Sequence, residues 1–213
     1  MRIRSADMIT ILRTILILAI VYLVLYRFNP ILITVLIGIA LASDALDGYF
    51  ALREESMGKI SFMEYVNASV LGNAEAKARM KDIKRRIAAS APFGSRIDVA
   101  GDRVAEYAFW FLGVYTHIIP LIIALLVIVR HSFADAFMAA KGTSAKMKSK
   151  LAQVFYASNW SRALANILKF LAFSYLGFVY VWAYPIAYEY ALVGLLFALI
   201  MLRGIAEIYE STL

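Results

Sequence analysis

The sequence predicts an all-α integral membrane protein, a six-transmembrane-helix bundle with a long cytoplasmic loop between helices 2 and 3. Hydrophobic residues make up 62% of the 213 residues, compared with roughly 45–50% in soluble globular domains. Mean hydropathy is +0.73, and the apolar residues fall into long runs. Since a transmembrane helix needs about 20 such residues, the chain fits six spans within a single membrane domain covering residues 1–213.

Six apolar runs define the predicted spans. In chain order they cover residues 8–26, 31–52, 94–117, 118–137, 158–182 and 186–209. Pro30 suits the first turn of the second helix, where the missing N–H of a proline is not needed. The first run lacks a small-residue cleavage site, so we expect it to stay in place as a helix rather than to be removed as a signal.

Residues 53–93 form the predicted cytoplasmic loop, a basic insertion between the second and third spans. Within it, residues 74–89 predict a basic helix on the membrane surface, because Lys and Arg are set among Ala and a few acids. The stretch before this helix is predicted to be irregular. Basic side chains near anionic headgroups contribute up to about 1 kcal/mol each, so membrane lipids are the expected partner of the basic helix. Alternatively, the helix supplies a contact to CMP or to the acceptor over the site.

Basic residues are distributed unevenly along the chain. The N-terminus and the loops at 53–93 and 139–157 are rich in Lys and Arg, whereas the turns at 27–30, 117–120 and 182–185 hold only Arg27. The positive-inside rule therefore places both termini and both long loops in the cytoplasm, in a protein of the cell membrane. Topology and anionic lipid account for the net charge of +7, so no nucleic-acid partner is expected. The absence of cysteine excludes disulfides and thiol chemistry.

Two pairs of acids interrupt the apolar runs. Asp44 and Asp47 are three residues apart and Asp98 and Asp102 are four apart, so each pair projects from one helical face. Uncompensated acids are costly in a bilayer, and clustered carboxylates suit hard cations such as Mg²⁺ or Mn²⁺. Alternatively, the acids cap helix ends, pair with Arg and Lys, or form the ion site of a transporter.

A pair of such ions would stabilise the attacking and leaving oxygens of a displacement at phosphorus. Gly48 and Gly94 flank the acids and would let a nucleotide or diphosphate approach the backbone closely. The pattern therefore favours phosphoryl chemistry at the cytoplasmic face of the membrane.

The same residues resemble the signature of the CDP-alcohol phosphotransferase family, which is also called CDP-alcohol phosphatidyltransferase. That signature reads Asp-x2-Asp-Gly-x2-Ala-Arg, then a short spacer, then Gly-x3-Asp-x3-Asp. Residues 44–51 and 94–102 match its acids, glycines and alanine, and Thr10 with Arg13 resembles the entry to the family's first helix. Two departures stand out: the arginine after Ala51 is displaced by one position to Arg53, and the loop between the two halves is much longer than usual.

The resemblance implies transfer of a substituted phosphate, such as a phosphatidyl group, from a CDP-linked lipid or alcohol to an acceptor hydroxyl, with release of CMP. It also implies two Mg²⁺ or Mn²⁺ ions, a homodimer, and Asp102 as the general base. The implied metal ligands are Asp44, Asp47, Asp98 and Asp102, and the implied contacts of the CMP moiety are Gly48, Ala51, Arg53 and Gly94.

Three basic residues are candidates for binding the acceptor. Arg130, Lys141 and Arg162 occupy regions where family members with phosphorylated acceptors place basic residues. Such residues would form an anion pocket for a polyol phosphate, for example inositol phosphate or glycerol phosphate. The alternative is that they follow the positive-inside rule or contact lipid headgroups.

Two other functions fit parts of the pattern. An intramembrane prenyltransferase also uses Asp-rich motifs and Mg²⁺ to hold a diphosphate, but it expects an asparagine where Gly94 stands. A cation transporter could place four acids in a helical bundle, although it would more naturally centre them at mid-membrane with broken helices.

Overall fold

A computed structural model describes residues 5–69, 94–141 and 148–213, together with Glu75, Met80, Ile83 and Ile87. The regular structure within these residues is helical, with no strand. The helices are α1 (Ser5–Leu25), α2 (Pro30–Glu55), α3 (Phe62–Ser69), α4 (Gly94–Tyr115), α5 (Leu121–Lys141), α6 (Lys150–Ala152), α7 (Asn159–Trp182) and α8 (Ile186–Ser211). A π-helical turn, Gln153–Ala157, continues α6. The predicted all-helical class is confirmed for the described residues.

Four helices, α1, α2, α7 and α8, are long and apolar enough to cross a membrane by length and composition. On α1, Leu12, Ile15 and Leu18 are 60%, 58% and 54% exposed and lie along one side of the helix. A contiguous apolar surface of this kind is typical of contact with lipid or with another apolar surface. Helices α4 and α5 occupy the regions predicted as the third and fourth spans. The total of six spans stays a prediction.

Helix α2 begins as its sequence predicts. Pro30 is its first residue, and the side chain of Asn29 accepts a hydrogen bond from the Ile31 N–H at 2.9 Å. An asparagine in this position satisfies one of the backbone donors that a helix start leaves without a partner. This cap fixes the start of α2 at Pro30, after the short connection from α1.

The prediction that the stretch before residue 74 is irregular is wrong, because residues 62–69 form α3. Ser61 caps this helix: its hydroxyl accepts a hydrogen bond from the Glu64 N–H at 3.2 Å. Ser followed three residues later by Glu is the sequence of a capping box, so a signal for α3 is present in the chain. In the predicted basic helix, Glu75, Met80, Ile83 and Ile87 are helical, and the Lys and Arg residues between 77 and 86 lie outside the described residues.

The structure divides into two compact units. Unit 1 comprises Met1–Leu23 and Val35–Ala108, and unit 2 comprises Val24–Thr34 and Phe109–Leu213. In unit 1, Leu52 near the end of α2 forms a buried cluster with Ile60, Ala68 and Met80, and Tyr65 packs against it. This cluster fixes α3 and part of the inserted loop to the C-terminal end of α2. The prediction of a single membrane domain stays a prediction.

Unit 2 is built around α8, against which α5, α6 and α7 pack. Phe109 stacks on Phe173 with ring centroids 4.5 Å apart, and Trp110 meets the same ring edge-on. Glu210 is fully buried and accepts hydrogen bonds from the N–H groups of Lys148 and Ser149, both at 2.8 Å. This carboxylate therefore ties the start of α6 to the end of α8.

Four of the long helices, α1, α2, α4 and α7, are followed by left-handed residues that are not glycine. Among the described residues, Arg27, Met57, His117 and Ala183 have φ angles between 52° and 57°. Each lies one or two residues beyond the end of α1, α2, α4 or α7. A left-handed residue at this position lets the chain leave the helix while the last carbonyls keep hydrogen-bond partners.

Candidate active site

Helix α1 contributes two polar residues to the interior of unit 1. Buried residues recur along α1 at Thr10, Arg13, Ile17, Ile20 and Val24, with steps of three or four residues that keep them on one helical face. Thr10 and Arg13 are 3% and 4% exposed. The polar end of this face therefore lies inside the protein, although the rest of α1 is almost entirely apolar.

Helix α2 brings the first pair of acids to the same region by the same periodicity. Ile37 and Ala40 are buried, and Asp44 and Asp47 continue their face toward the C-terminal end of the helix. The Thr10 hydroxyl donates a hydrogen bond to Asp47 Oδ2 at 3.2 Å. Asp47 is 7% exposed, so it is the most buried acid of the cluster.

Helix α4 supplies the second pair of acids and lies close to α1. A Cβ atom added to Gly101 would overlap the methyl group of Thr10, so the glycine permits the close approach of these two helices. Asp98 and Asp102 flank Gly101 in the first turns of α4, with side chains 50% and 48% exposed. The close contact at Gly101 thus sets the distance of both acids from α1.

Three of the four predicted ligands meet. Asp44, Asp47 and Asp98 each offer one carboxylate oxygen, and these three oxygens lie within 4.8 Å of one another. Asp102 is not part of this triad, and its Oδ1 instead accepts a hydrogen bond from Arg13 Nη2 at 2.7 Å. The structure therefore brings together the triad, and the role of Asp102 as a ligand and base stays a prediction.

Arg13 is the counter-ion of the cluster and was missed as such in the sequence. Its guanidinium forms ion pairs with Asp44, with Asp102 at 2.7 Å and with Asp98 at 3.8 Å. Arg96 and Arg103 are nearer to the second pair of acids in sequence, but neither lies on the helical face that Asp98 and Asp102 share. The signal for Arg13 is its place, three residues after Thr10, as a polar interruption of an apolar helix.

The triad fits a divalent cation on the chemistry of its donors. All three groups are carboxylates, which Mg²⁺ and Mn²⁺ favour over nitrogen or sulfur ligands. Asp98 Oδ1 is itself shielded from solvent and accepts no hydrogen bond within the described part of the chain, and its ion pair with Arg13 Nη2, at 3.8 Å, is longer than a hydrogen bond. A cation held between the three carboxylates would give this oxygen the close partner that it lacks.

The predicted contacts of the CMP moiety lie on and beside the end of α2. Gly48 follows Asp47 directly, and an added Cβ at Gly48 would stand 2.8 Å from the Tyr65 hydroxyl oxygen. Ala51 is half-buried, and the guanidinium of Arg53 lies over the Tyr49 ring, 5.9 Å from its centroid. Gly94 is the first residue of α4.

Unit 2 contains a second polar cluster, formed around Tyr156 in the π-helical turn. Arg130 pairs with Glu207 at 2.9 Å, and Arg203 lies over the Tyr156 ring, 5.7 Å from its centroid. Burial raises the pKa of Tyr156, and the charge of Glu207 raises it further, while Arg162, Arg203 and Arg130 oppose the shift.

Two of the three predicted acceptor residues, Arg130 and Arg162, therefore share one neighbourhood within unit 2. Arg203 is a third arginine there that the sequence did not single out for the acceptor. It also donates a hydrogen bond to the Ser161 hydroxyl at 3.2 Å. Lys141 ends α5, and its side chain lies outside the described residues.

One of three comparisons with known proteins found a match, and it covers α1 and α2. Residues 3–59 match the family model described as CDP-alcohol phosphatidyltransferase. This segment holds Thr10, Arg13, Asp44, Asp47 and Gly48, so the resemblance predicted from the sequence is confirmed over these residues. No curated protein and no solved structure matches the chain.

Proposed function

We propose that the chain is a metal-dependent CDP-alcohol phosphotransferase. It transfers a substituted phosphate, such as a phosphatidyl group, from a CDP-linked lipid or alcohol to the hydroxyl of an acceptor. The acceptor oxygen forms a bond to the phosphorus that carries the transferred group. The bond from that phosphorus to the bridging oxygen breaks, and CMP leaves with the electron pair.

One observation carries this proposal: the carboxylates of Asp44, Asp47 and Asp98 converge within 4.8 Å, and two of them lie in the segment that matches the family model. The three aspartates, with Asp102, would hold two Mg²⁺ or Mn²⁺ ions. Bound there, the ions would offset the negative charge that develops on the diphosphate during transfer. Thr10 fixes the orientation of Asp47 by its hydrogen bond of 3.2 Å.

Asp102 is proposed as the group that accepts the proton of the acceptor hydroxyl. Its side chain is 48% exposed, so one carboxylate oxygen can face a substrate while Oδ1 keeps its hydrogen bond to Arg13. The hydrogen bond from the Arg13 guanidinium orients the carboxylate. A carboxylate held in a fixed orientation within reach of the acceptor hydroxyl is what a general base requires.

Gly48, Ala51, Arg53 and Gly94 are proposed to contact the CMP moiety of the donor. Arg130, Lys141 and Arg162 are proposed to bind the phosphate of an acceptor such as inositol phosphate or glycerol phosphate. Support for the second set comes from unit 2, where Arg130 and Arg162 both act on Tyr156. A half-buried phenol beside several arginines suits an anion with hydroxyl groups. We further propose a homodimer in the cell membrane, with the site facing the cytoplasm.

CMP release tests the function. Purified protein with Mn²⁺ and a CDP-lipid should release CMP when glycerol phosphate, inositol phosphate, serine or phosphatidylglycerol is the right acceptor. Asp102→Asn should lower kcat by a factor of about 10² to 10⁴, the usual contribution of a general base, while Asp135→Asn in unit 2 serves as the matched control. Full turnover of Asp102→Asn would remove Asp102 from the base role, and release of pyrophosphate would identify a prenyltransferase instead.

Metal binding has a test that does not depend on turnover. Electron paramagnetic resonance of Mn²⁺ should show binding to the wild type and to Asp135→Asn. Replacing Asp47 or Asp98 by Asn should weaken that binding at least tenfold, because each removes one charged ligand of a small set. Equal Mn²⁺ affinity in all four proteins would rule out the triad as the metal site.

A further inference from the structure

The inserted loop reaches the end of α2 that carries the acids. Gly48 is the residue after Asp47, and the missing Cβ at Gly48 leaves a notch in the surface of α2. The hydroxyl of Tyr65 from α3 fills this notch, since an added Cβ would lie 2.8 Å from Tyr65 Oη and 3.7 Å from Cζ. The glycine expected to admit a nucleotide is thus in contact with a side chain of the insertion.

Aromatic side chains surround this contact. The Tyr49 ring lies 5.8 Å from the ring of Tyr65 and 5.4 Å from that of Phe62, which it meets edge-on. Arg53, the displaced arginine of the signature and a predicted contact of the CMP moiety, lies over the Tyr49 ring. The predicted nucleotide contacts Gly48 and Arg53 therefore border an aromatic surface that the insertion completes.

The position of Tyr65 is fixed by packing. Leu52 from α2 and Ile60 and Ala68 from the insertion are 2%, 5% and 2% exposed in one buried cluster. Tyr65 lies between Ile60 and Ala68 in the chain and packs against this cluster. Its hydroxyl is therefore held at Gly48 by the same contacts that dock α3.

From these contacts we infer that Tyr65 is a specificity-determining residue of the donor site, which binds the cytidine or ribose of the CDP group over Gly48. The inference rests on the proposed function. A phenol ring offers a stacking surface for a pyrimidine, and its hydroxyl can exchange hydrogen bonds with ribose or base. The insertion, which lengthens the gap between the two halves of the signature, thereby supplies one wall of the nucleotide pocket.

Titration calorimetry with CMP and Mg²⁺ tests the inference on the full chain in nanodiscs. Tyr65→Ala should weaken CMP binding roughly 5- to 150-fold, the range of stacking contributions per base. The same variant should raise KM for the CDP-lipid and leave kcat and the KM of the acceptor unchanged. If Tyr65 only supported the fold, its loss would not act on the KM of the donor alone. Met63→Ala, a change at a 67% exposed residue of the same helix, is the control.

A double-mutant cycle tests the contact itself. Gly48→Ala should weaken CMP binding strongly in the wild type, because its methyl displaces the Tyr65 hydroxyl. The effect should be smaller in Tyr65→Phe, which lacks that oxygen, because directly contacting residues give non-additive effects. Thermal unfolding of each variant verifies that it is folded, and Tyr65→Phe provides a conservative variant if Tyr65→Ala unfolds.

The outcomes separate the two proposals. If the wild type binds CMP and Tyr65→Ala binds it equally well, the role of Tyr65 is wrong and the proposed function stands. Tighter binding by Tyr65→Ala also overturns the inference, since the side chain would then obstruct the pocket. If the wild type binds no CMP and releases none from any donor, both proposals fail.

Discussion

Arg13 is the residue on which the acid cluster depends. Its side chain is 4% exposed and forms ion pairs with acids from both α2 and α4. Carboxylates held this close repel one another, and a buried guanidinium with several donors can offset that repulsion for more than one of them. Arg13 therefore stabilises the arrangement of the helices at the site as well as the charges.

Replacing Arg13 by Gln should lower the stability of the protein. Removing one partner of a buried ion pair costs about 3–5 kcal/mol, but Asp44 and Asp102 are 39% and 48% exposed. Solvent screening of the acids reduces the expected loss to roughly 1–3 kcal/mol. Thermal unfolding of the metal-free protein in nanodiscs measures the effect.

Arg27→Gln is the control for that measurement, because Arg27 is exposed in the turn after α1, where its guanidinium lies over the Tyr180 ring, 5.0 Å from the centroid. Equal unfolding temperatures for Arg13→Gln and the wild type would show that the ion pairs do not stabilise the fold.

The acids could be predicted from the sequence and their counter-ion could not. Spacing alone predicts that Asp44 and Asp47 share one helical face and that Asp98 and Asp102 share another. The pairing of Arg13 joins residues 31 and 89 positions apart, and local spacing contains no information about such contacts. Thr10 and Arg13 share a face of α1, but only the packing of α1 on α4 at Gly101 shows that this face meets the acids.

At the scale of elements, α3 depends on its cap. A helix of eight residues is too short to be stable by itself, and the Ser61 hydroxyl satisfies one of its first backbone donors. Tertiary contacts of Ala68 and Ile60 supply the rest. Loss of the cap should therefore loosen the whole helix and, with it, the position of Tyr65.

Ser61→Ala should destabilise α3 by about 0.5–2 kcal/mol, the usual cost of removing an N-cap. Hydrogen exchange should accelerate at the amides of residues 62–69 and remain unchanged in α1 and α2. The control is Ser132→Ala, which removes an exposed hydroxyl bonded to the Ile128 carbonyl of its own helix at 2.9 Å. Unaltered exchange in α3 would mean that packing alone holds the helix.

The long apolar helices could be predicted well, because length and hydropathy determine them. Hydrophobic periodicity did not predict α3, because eight residues are too few to show a helical pattern. The buried cluster that holds α3 also includes Leu52 and Met80, which lie outside the helix. The capping-box signal at Ser61 and Glu64 was available, but it specifies only where a helix starts. Whether so short a helix persists depends on contacts that the sequence does not display.

At the scale of the whole molecule, the predicted topology has a direct test. The chain has no cysteine, so a single introduced cysteine gives an unambiguous labelling site. Lys59→Cys lies in the predicted cytoplasmic loop and Tyr184→Cys in a predicted outer turn, and both native residues are exposed. A membrane-impermeant maleimide should label Tyr184→Cys in intact cells, and Lys59→Cys only after permeabilisation.

The basic residues give the physical reason for this expectation, since Lys and Arg near the ends of spans favour the cytoplasmic side. Labelling both variants with and without a denaturing detergent controls for cysteines that are inaccessible in the folded protein. Labelling of Lys59→Cys in intact cells would reverse the orientation and place the acid cluster on the outer face of the membrane.

Glycine in place of the left-handed residues at the helix ends could raise the stability of the protein. Residues other than glycine lose roughly 1–2 kcal/mol in this conformation, whereas glycine adopts it readily. Arg27 lies over the Tyr180 ring, but Ala183 would lose only an exposed methyl group on replacement by glycine. Ala183 is therefore the first position to engineer for a more heat-resistant preparation, and the change would leave every residue of the acid cluster in place.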